Sequence, residues 1–150
     1  MALLVTLHVL SAVVWVGGMF FAYMVLRKSG GPLEPPVRVA LWHRVLGRFF
    51  PWVWASIFLL LISGYSMLLH AFGGFAGGPL HIQIMQGTGI VMMLLFLYLF
   101  VAPWRRFGLA VEKGAFPEAA KELEQIRRIV AINLTLGLVT VAIGASGRFW

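Results

Sequence analysis

Residues 6–21 read TLHVLSAVVWVGGMFF, an apolar run broken by a single histidine, His8. The run belongs to a longer one, 2–26, in which only Thr6, His8, Ser11 and a few small residues relieve the hydrophobicity. As a helix, that length crosses a hydrocarbon core of ~30 Å. Three further runs have the same character, at 49–69, 82–102 and 129–145. Composition agrees: 61% of the 150 residues are hydrophobic, 11% are charged, and aspartate is absent. A soluble domain carries roughly 25% charge. Lipid supplies no hydrogen bonds, so a spanning segment must satisfy its own backbone as a helix, and the alternation of a barrel strand is missing here. The expected fold is therefore all-α, a single four-transmembrane-helix bundle over 1–150. The first run is too long and lacks the basic start of a cleaved signal peptide, so it is read as a retained span.

Charge gives the expected orientation. Eleven of the twelve basic residues fall in two segments, 27–48 and 103–128, and only Arg148 lies at the other side. The connection between the second and third runs, AFGGFAGGPL at 71–80, is uncharged. The positive-inside rule makes the basic side cytoplasmic and leaves both termini outside, in a bacterial-type inner membrane. The net charge of +7 then follows from topology, and no basic motif interleaved with aromatics argues for nucleic-acid binding. All five glutamates share the basic side, so no acidic pair reaches the membrane for general acid–base work. Cysteine is absent, which removes disulfides, thiolate metal sites and iron–sulfur clusters. No phosphate-binding loop, nucleophile elbow, HExxH or dinucleotide fingerprint occurs. KSGGPLEPP (28–36) reads as a turn, VRVALWHRVLGRFF (37–50) as a short extension into the second span, and FPEAAKELEQIRR (116–128) as a helix start running into the fourth.

Histidine is where chemistry enters. His8, His70 and His81 come from three spans, all near the outer side, whereas His43 sits at the basic side among Trp42 and Arg44 as an interfacial residue. Helix spacing puts Ser11, Trp15 and Gly18 with His8, Ser63 and Met67 with His70, and Met85 and Thr88 with His81. Asn133, Gly137, Thr140 and Gly144 form a stripe on the fourth span. Small and polar residues mark the faces that helices turn towards each other in a membrane, and ionisable residues on such faces are functional candidates. The three histidines are expected to share one site there.

Two imidazoles on facing helices can clamp a b-type haem iron; covalent attachment is excluded because no CxxCH exists. Gly17, Gly18 and Gly64 would leave room for the porphyrin, and Arg148 would either pair with a propionate or anchor the interface with Phe149 and Trp150. The alternative is copper held by His8, His70 and His81 with a thioether from Met67 or Met85. A third reading is a structural or assembly subunit without cofactor.

LHVLSAVVWVGGMFF (7–21) resembles the first span of the copper resistance protein D (CopD) family, LLISGYSMLL (60–69) its second, and IRRIVAINLTLGLVTVAIGASGR (126–148) its closing span. The chain is also similar to the four-span HemJ-type protoporphyrinogen oxidases. There GPLHIQI (78–84) matches an L-H-x-K pattern, with Gln83 standing where that family has lysine. The resemblance implies an inner-membrane protein that handles metal or haem, with His8 as a ligand. Haem b serving electron transfer or small-molecule oxidation is the first expectation, and copper import or handling the second. Expected partners are the lipid bilayer, a quinone or a periplasmic redox or copper partner, and a second copy of the chain through the small-residue stripes.

Overall fold

The computed structural model describes residues 1–74 and 78–149. Its elements are α1 (Ala2–Phe20), a π-helical stretch (Phe21–Leu26), α2 (Arg27–Ser29), α3 (Pro35–Phe72), α4 (Leu80–Val101), α5 (Pro103–Glu112), α6 (Phe116–Ser146) and a 3-10 turn (Gly147–Phe149). No strand occurs among the described residues. Four stretches are long and apolar enough to cross a membrane: Ala2–Ser29, Pro35–Ala71, Leu80–Glu112 and Phe116–Ser146.

All four helical rods outrun the spans read from the sequence, because each continues beyond the apolar run at the basic end. Prolines open α3, α5 and α6, where a missing N–H costs nothing. The segment 103–112, expected as loop, is helical. Its Pro103, Phe107 and Ala110 are buried at a helical spacing while Arg105 and Arg106 stay exposed. Pro51 lies inside α3, where it has no N–H to give the Gly47 carbonyl four residues back. At the other end α3 stops at Gly73, whose left-handed backbone (φ 68°) turns its N–H back to the Leu68 carbonyl.

The rods run antiparallel. α1 packs on α3, α4 and α5 pack on α6, and α6 also touches α1 and α3. α3 and α4 follow one another in sequence, yet rings fill the space between them. Phe96 of α4 meets Phe50 and Trp54 of α3 edge-on at 5.4 and 5.3 Å, and Trp15 of α1 at 6.3 Å. Trp104 at the start of α5 closes the cluster on Phe50 at 4.9 Å. Edge-to-face geometry of this kind adds to the area buried. At the basic end Arg106 Nε donates to Glu122 at 3.0 Å and its Nη2 to Gln125 at 3.1 Å, and Gln125 in turn donates to the Tyr98 hydroxyl at 3.0 Å. That chain ties α5, α6 and α4 together on an exposed surface.

Phe96→Ala should therefore cost about 3–5 kcal/mol, the range for emptying a packed aromatic position. Phe58→Ala, at a ring that is 60% exposed on the bundle's outer surface, should cost far less. Thermal unfolding of the two variants in one detergent checks the contrast; equal shifts would mean that the ring cluster is not the core of the bundle.

Candidate functional site

Both termini, His8, His70 and His81 lie at the same end of the bundle, opposite the eleven basic residues. The contacts of the three rings run to different helices: His8 to α3, His81 to α6 and His70 to its own helix.

His8 sits on α1 against α3. Its Nδ1 lies 3.0 Å from Ser63 Oγ, and Ser63 is almost wholly buried, at 1% exposure. A hydroxyl has one proton, and Ser63 donates it to the Leu59 carbonyl one turn back. The Ser63 oxygen is thus open to a hydrogen on His8 Nδ1, and the tautomer that carries it there would leave Nε2 as the lone-pair nitrogen. That is how imidazole ligands are oriented at metal centres, one ring nitrogen anchored by a neighbour and the other left to coordinate. Gly64 makes the approach feasible: a Cβ there would lie 3.1 Å from His8 Cε1. Met67 stands four residues after Ser63, on the same face of α3.

His81 belongs to a second helix pair. α4 and α6 close on each other through a ladder of small residues. His81 lies against Gly147, Met85 against Gly144, and Met92 against Gly137. A Cβ at 144 would come within 2.8 Å of Met85 Cε, and one at 137 within 3.1 Å of Met92 Cε. Between these steps the Thr140 hydroxyl meets that of Thr88 at 2.7 Å. Asn133 then donates to the Met92 carbonyl at 3.1 Å. His81 and Met85 are thus one turn apart on the face that α4 presents to α6.

His70 is exposed, and its Nδ1 is 2.7 Å from the Ser66 carbonyl of its own helix. Among the described residues no three histidine or carboxylate side chains gather into a metal-holding group. His8 lies on the α1–α3 pair, whose α3 face also carries Met67, and His81 with Met85 lies on the α4–α6 pair.

Other expected site residues have packing partners. Trp15 is buried in the ring cluster. The notch at Gly18 is filled by the Phe49 ring, and the one at Gly64 by His8 itself, while Gly17 faces outward with nothing near it. Gly18 and Gly64, expected to make room for a porphyrin, instead receive side chains from the facing helix, so no haem slot opens at these two positions. The Arg148 side chain lies outside the described residues. At the basic end His43 stacks on Trp104 at 5.2 Å and lines a cleft of about 230 Å³ with Arg105 and Glu112.

Residues 43–146 match the family model of copper resistance protein D. The chain belongs to that family. The match covers most of α3 and all of α4, α5 and α6, and it starts after α1, so the role of His8 rests on its own geometry. No curated protein and no solved structure matches the chain. The CopD family links this multi-pass membrane protein to copper.

Sequence spacing had put Ser63, Met67 and Met85 on inward stripes, but Gly147 as the seat of His81 had no such mark, since it lies beyond the last apolar run. The His8 assignment has a direct check. Nitrogen-15 spectra of the protein at alkaline pH should show His8 as the Nδ1–H tautomer, and Ser63→Ala should turn it into a mixture. A wild-type ring that already holds its hydrogen on Nε2 would remove the ligand-ready nitrogen.

Proposed function

We propose that this CopD-family protein handles copper in the membrane, taking Cu(I) as cargo at the histidine end through imidazole and thioether donors. The observation that carries the reading is the His8–Ser63 contact of 3.0 Å, which orients the imidazole and, in the Nδ1–H tautomer, leaves Nε2 to coordinate. The donor set supports the choice of metal. With no aspartate in the chain and every glutamate at the basic end, the histidine end offers imidazole and sulfur. Those donors suit Cu(I) and leave hard cations such as Mg²⁺ or Ca²⁺ without their oxygen ligands.

His8 with Met67 forms one half-site and His81 with Met85 the other, each on its own antiparallel helix pair. Two half-sites on separate pairs can pass a two- or three-coordinate ion by exchange of one ligand at a time. The positive-inside rule puts the basic end in the cytoplasm, so the histidine end faces outward and copper enters there. His43, stacked in its cleft with Glu112 beside it, is the first imidazole the ion would meet at the basic end.

The test is anaerobic Cu(I) titration of the detergent-purified protein against a chromophoric chelator. Wild type should bind Cu(I). His8→Ala and His81→Ala should each weaken binding on the order of tenfold to a hundredfold, the scale of losing a ligand or its orientation. Met67→Leu and Met85→Leu should weaken it less, and His70→Ala should leave it unchanged. Cu(I) affinity that survives both His8→Ala and His81→Ala would overturn the assignment. A Soret band in the purified protein, sharpening on reduction and lost in His8→Ala, would return the site to haem.

A further inference from the structure

The cleft at the basic end holds charged groups that the fold leaves unpaired. Helix α5 supplies Trp104, Arg105, Gly108, Leu109 and Glu112 to its lining, and α3 supplies His43. Rings fix the imidazole, which is stacked on Trp104 at 5.2 Å and edge-on to Phe107 at 5.8 Å. Its Nε2 is turned to Gly108: a Cβ there would lie 3.6 Å from that nitrogen. His43 and Gly108 both line the cleft. The space that a side chain would fill at 108 therefore stays open, and Nε2 borders it.

Arg105, Gly108 and Glu112 follow at steps of three and four residues, so they share one face of α5. The imidazole lies over the middle of that face, with the guanidinium to one side and the carboxylate to the other. Seven residues of helix set Arg105 and Glu112 ~10 Å apart along the axis. Both are exposed, and among the described residues neither has an ion-pair partner. Arg106 takes Glu122, while Glu124 is shared by Arg127 and Arg128. A free metal cation would meet the charge of Arg105, and a simple anion would meet that of Glu112. A molecule with a carboxylate at one end and an ammonium at the other satisfies both. Three extended residues span ~10 Å, so a tripeptide with free ends has the matching length.

We propose that this cleft binds a short zwitterionic thiol peptide, with its carboxylate on Arg105, its ammonium on Glu112 and a central cysteine sulfur at His43 Nε2, and that the peptide carries Cu(I) away. The inference rests on the copper reading above for the identity of the central side chain. The chain has no cysteine, so a thiolate that draws Cu(I) off an imidazole has to come from outside. In the transfer the bond from copper to Nε2 breaks and a copper–sulfur bond forms. The thiol proton passes to the freed Nε2, and copper stays Cu(I) throughout. Trp104 and Leu109 give the peptide an apolar floor. The volume, about 230 Å³, is just under the ~300–1,000 Å³ of small-molecule pockets, which suits a ligand of this size.

The experiment has two arms, both on the full-length protein in neutral detergent. In the first, copper-free protein is titrated calorimetrically with the tripeptide Gly-Ser-Gly at about pH 6.5, where its terminal ammonium is protonated. Wild type should bind it saturably. The N-acetylated and the C-amidated peptides should each bind on the order of tenfold more weakly, as loss of a charge-assisted contact does. Arg105→Gln should lose the discrimination against the amide, and Glu112→Gln that against the acetylated form. Arg44→Gln, exposed and outside the cleft, should behave as wild type. In the second arm, Cu(I)-loaded protein is mixed anaerobically with Gly-Cys-Gly. The transfer rate should saturate with peptide, and Gly-Ser-Gly should remove no copper. Gly108→Ala, whose methyl would stand at ordinary contact distance from Nε2, should fold and slow the transfer on the order of tenfold. No binding of Gly-Ser-Gly by wild type would overturn the site, as would an equal loss in Arg44→Gln. Peptide binding without saturable transfer would overturn the role in copper release. A wild type that binds peptide but no Cu(I) would instead fell the copper reading, and the cleft would stand as a peptide site.

Discussion

Close helix approach at small residues is the constraint on which this structure rests. In lipid there is little hydrophobic gain in bringing one apolar helix to another, so association depends on fitted contact and on the few polar groups that pair across it. Here the fit is made by glycines that receive a side chain from the facing helix. Gly18 takes Phe49, Gly137 takes Val16 and Met92, and Gly144 takes Met85. The same device seats both inner histidines, His8 over Gly64 and His81 over Gly147. The packing rule that holds the bundle together therefore also sets where its imidazoles stand.

Polar side chains in the apolar layer follow a consistent pattern. Ser11, Ser63, Thr88, Thr135 and Thr140 each return a hydroxyl proton to a carbonyl one turn back, which satisfies the donor without a partner helix. Two of these hydroxyls also face a neighbouring helix: Ser63 meets His8, and Thr88 accepts from Thr140. At Ser63 the contact fixes the orientation of the His8 ring, with Nδ1 turned to the hydroxyl. Asn133 works in the opposite sense, donating across to the Met92 carbonyl while its own Oδ1 stays unpaired.

The two ends of the molecule divide the work by composition. The histidine end carries imidazole and thioether groups, and the basic end carries eleven of the twelve basic side chains and every glutamate. Between them the rings around Phe96 close the centre of the bundle, with Phe50, Leu99 and Val53 almost wholly buried. A copper ion moving from one end to the other would have to pass that seal, so transfer across the membrane requires the ring cluster or the α3–α4 contact to open.

Sequence alone determined the architecture, the number of spans and the clustering of basic residues at one side. These follow from hydropathy and charge, which a lipid environment reads segment by segment with little help from tertiary contacts. The likeness of 60–69 and 126–148 to the CopD family was also legible, because those motifs are contiguous. Helix spacing marked Ser63, Met67 and Met85 as inward-facing. What it could not supply was the pairing of helices. α3 packs on α1 rather than closely on α4, and that choice seats His8 on α3 and His81 on α6, with His70 bonded within its own helix. The reach of α5 through 103–112 and the filling of Gly18 by Phe49 were hidden for the same reason. Spacing along one helix says which residues share a face, but only the packed bundle decides which other helix that face meets.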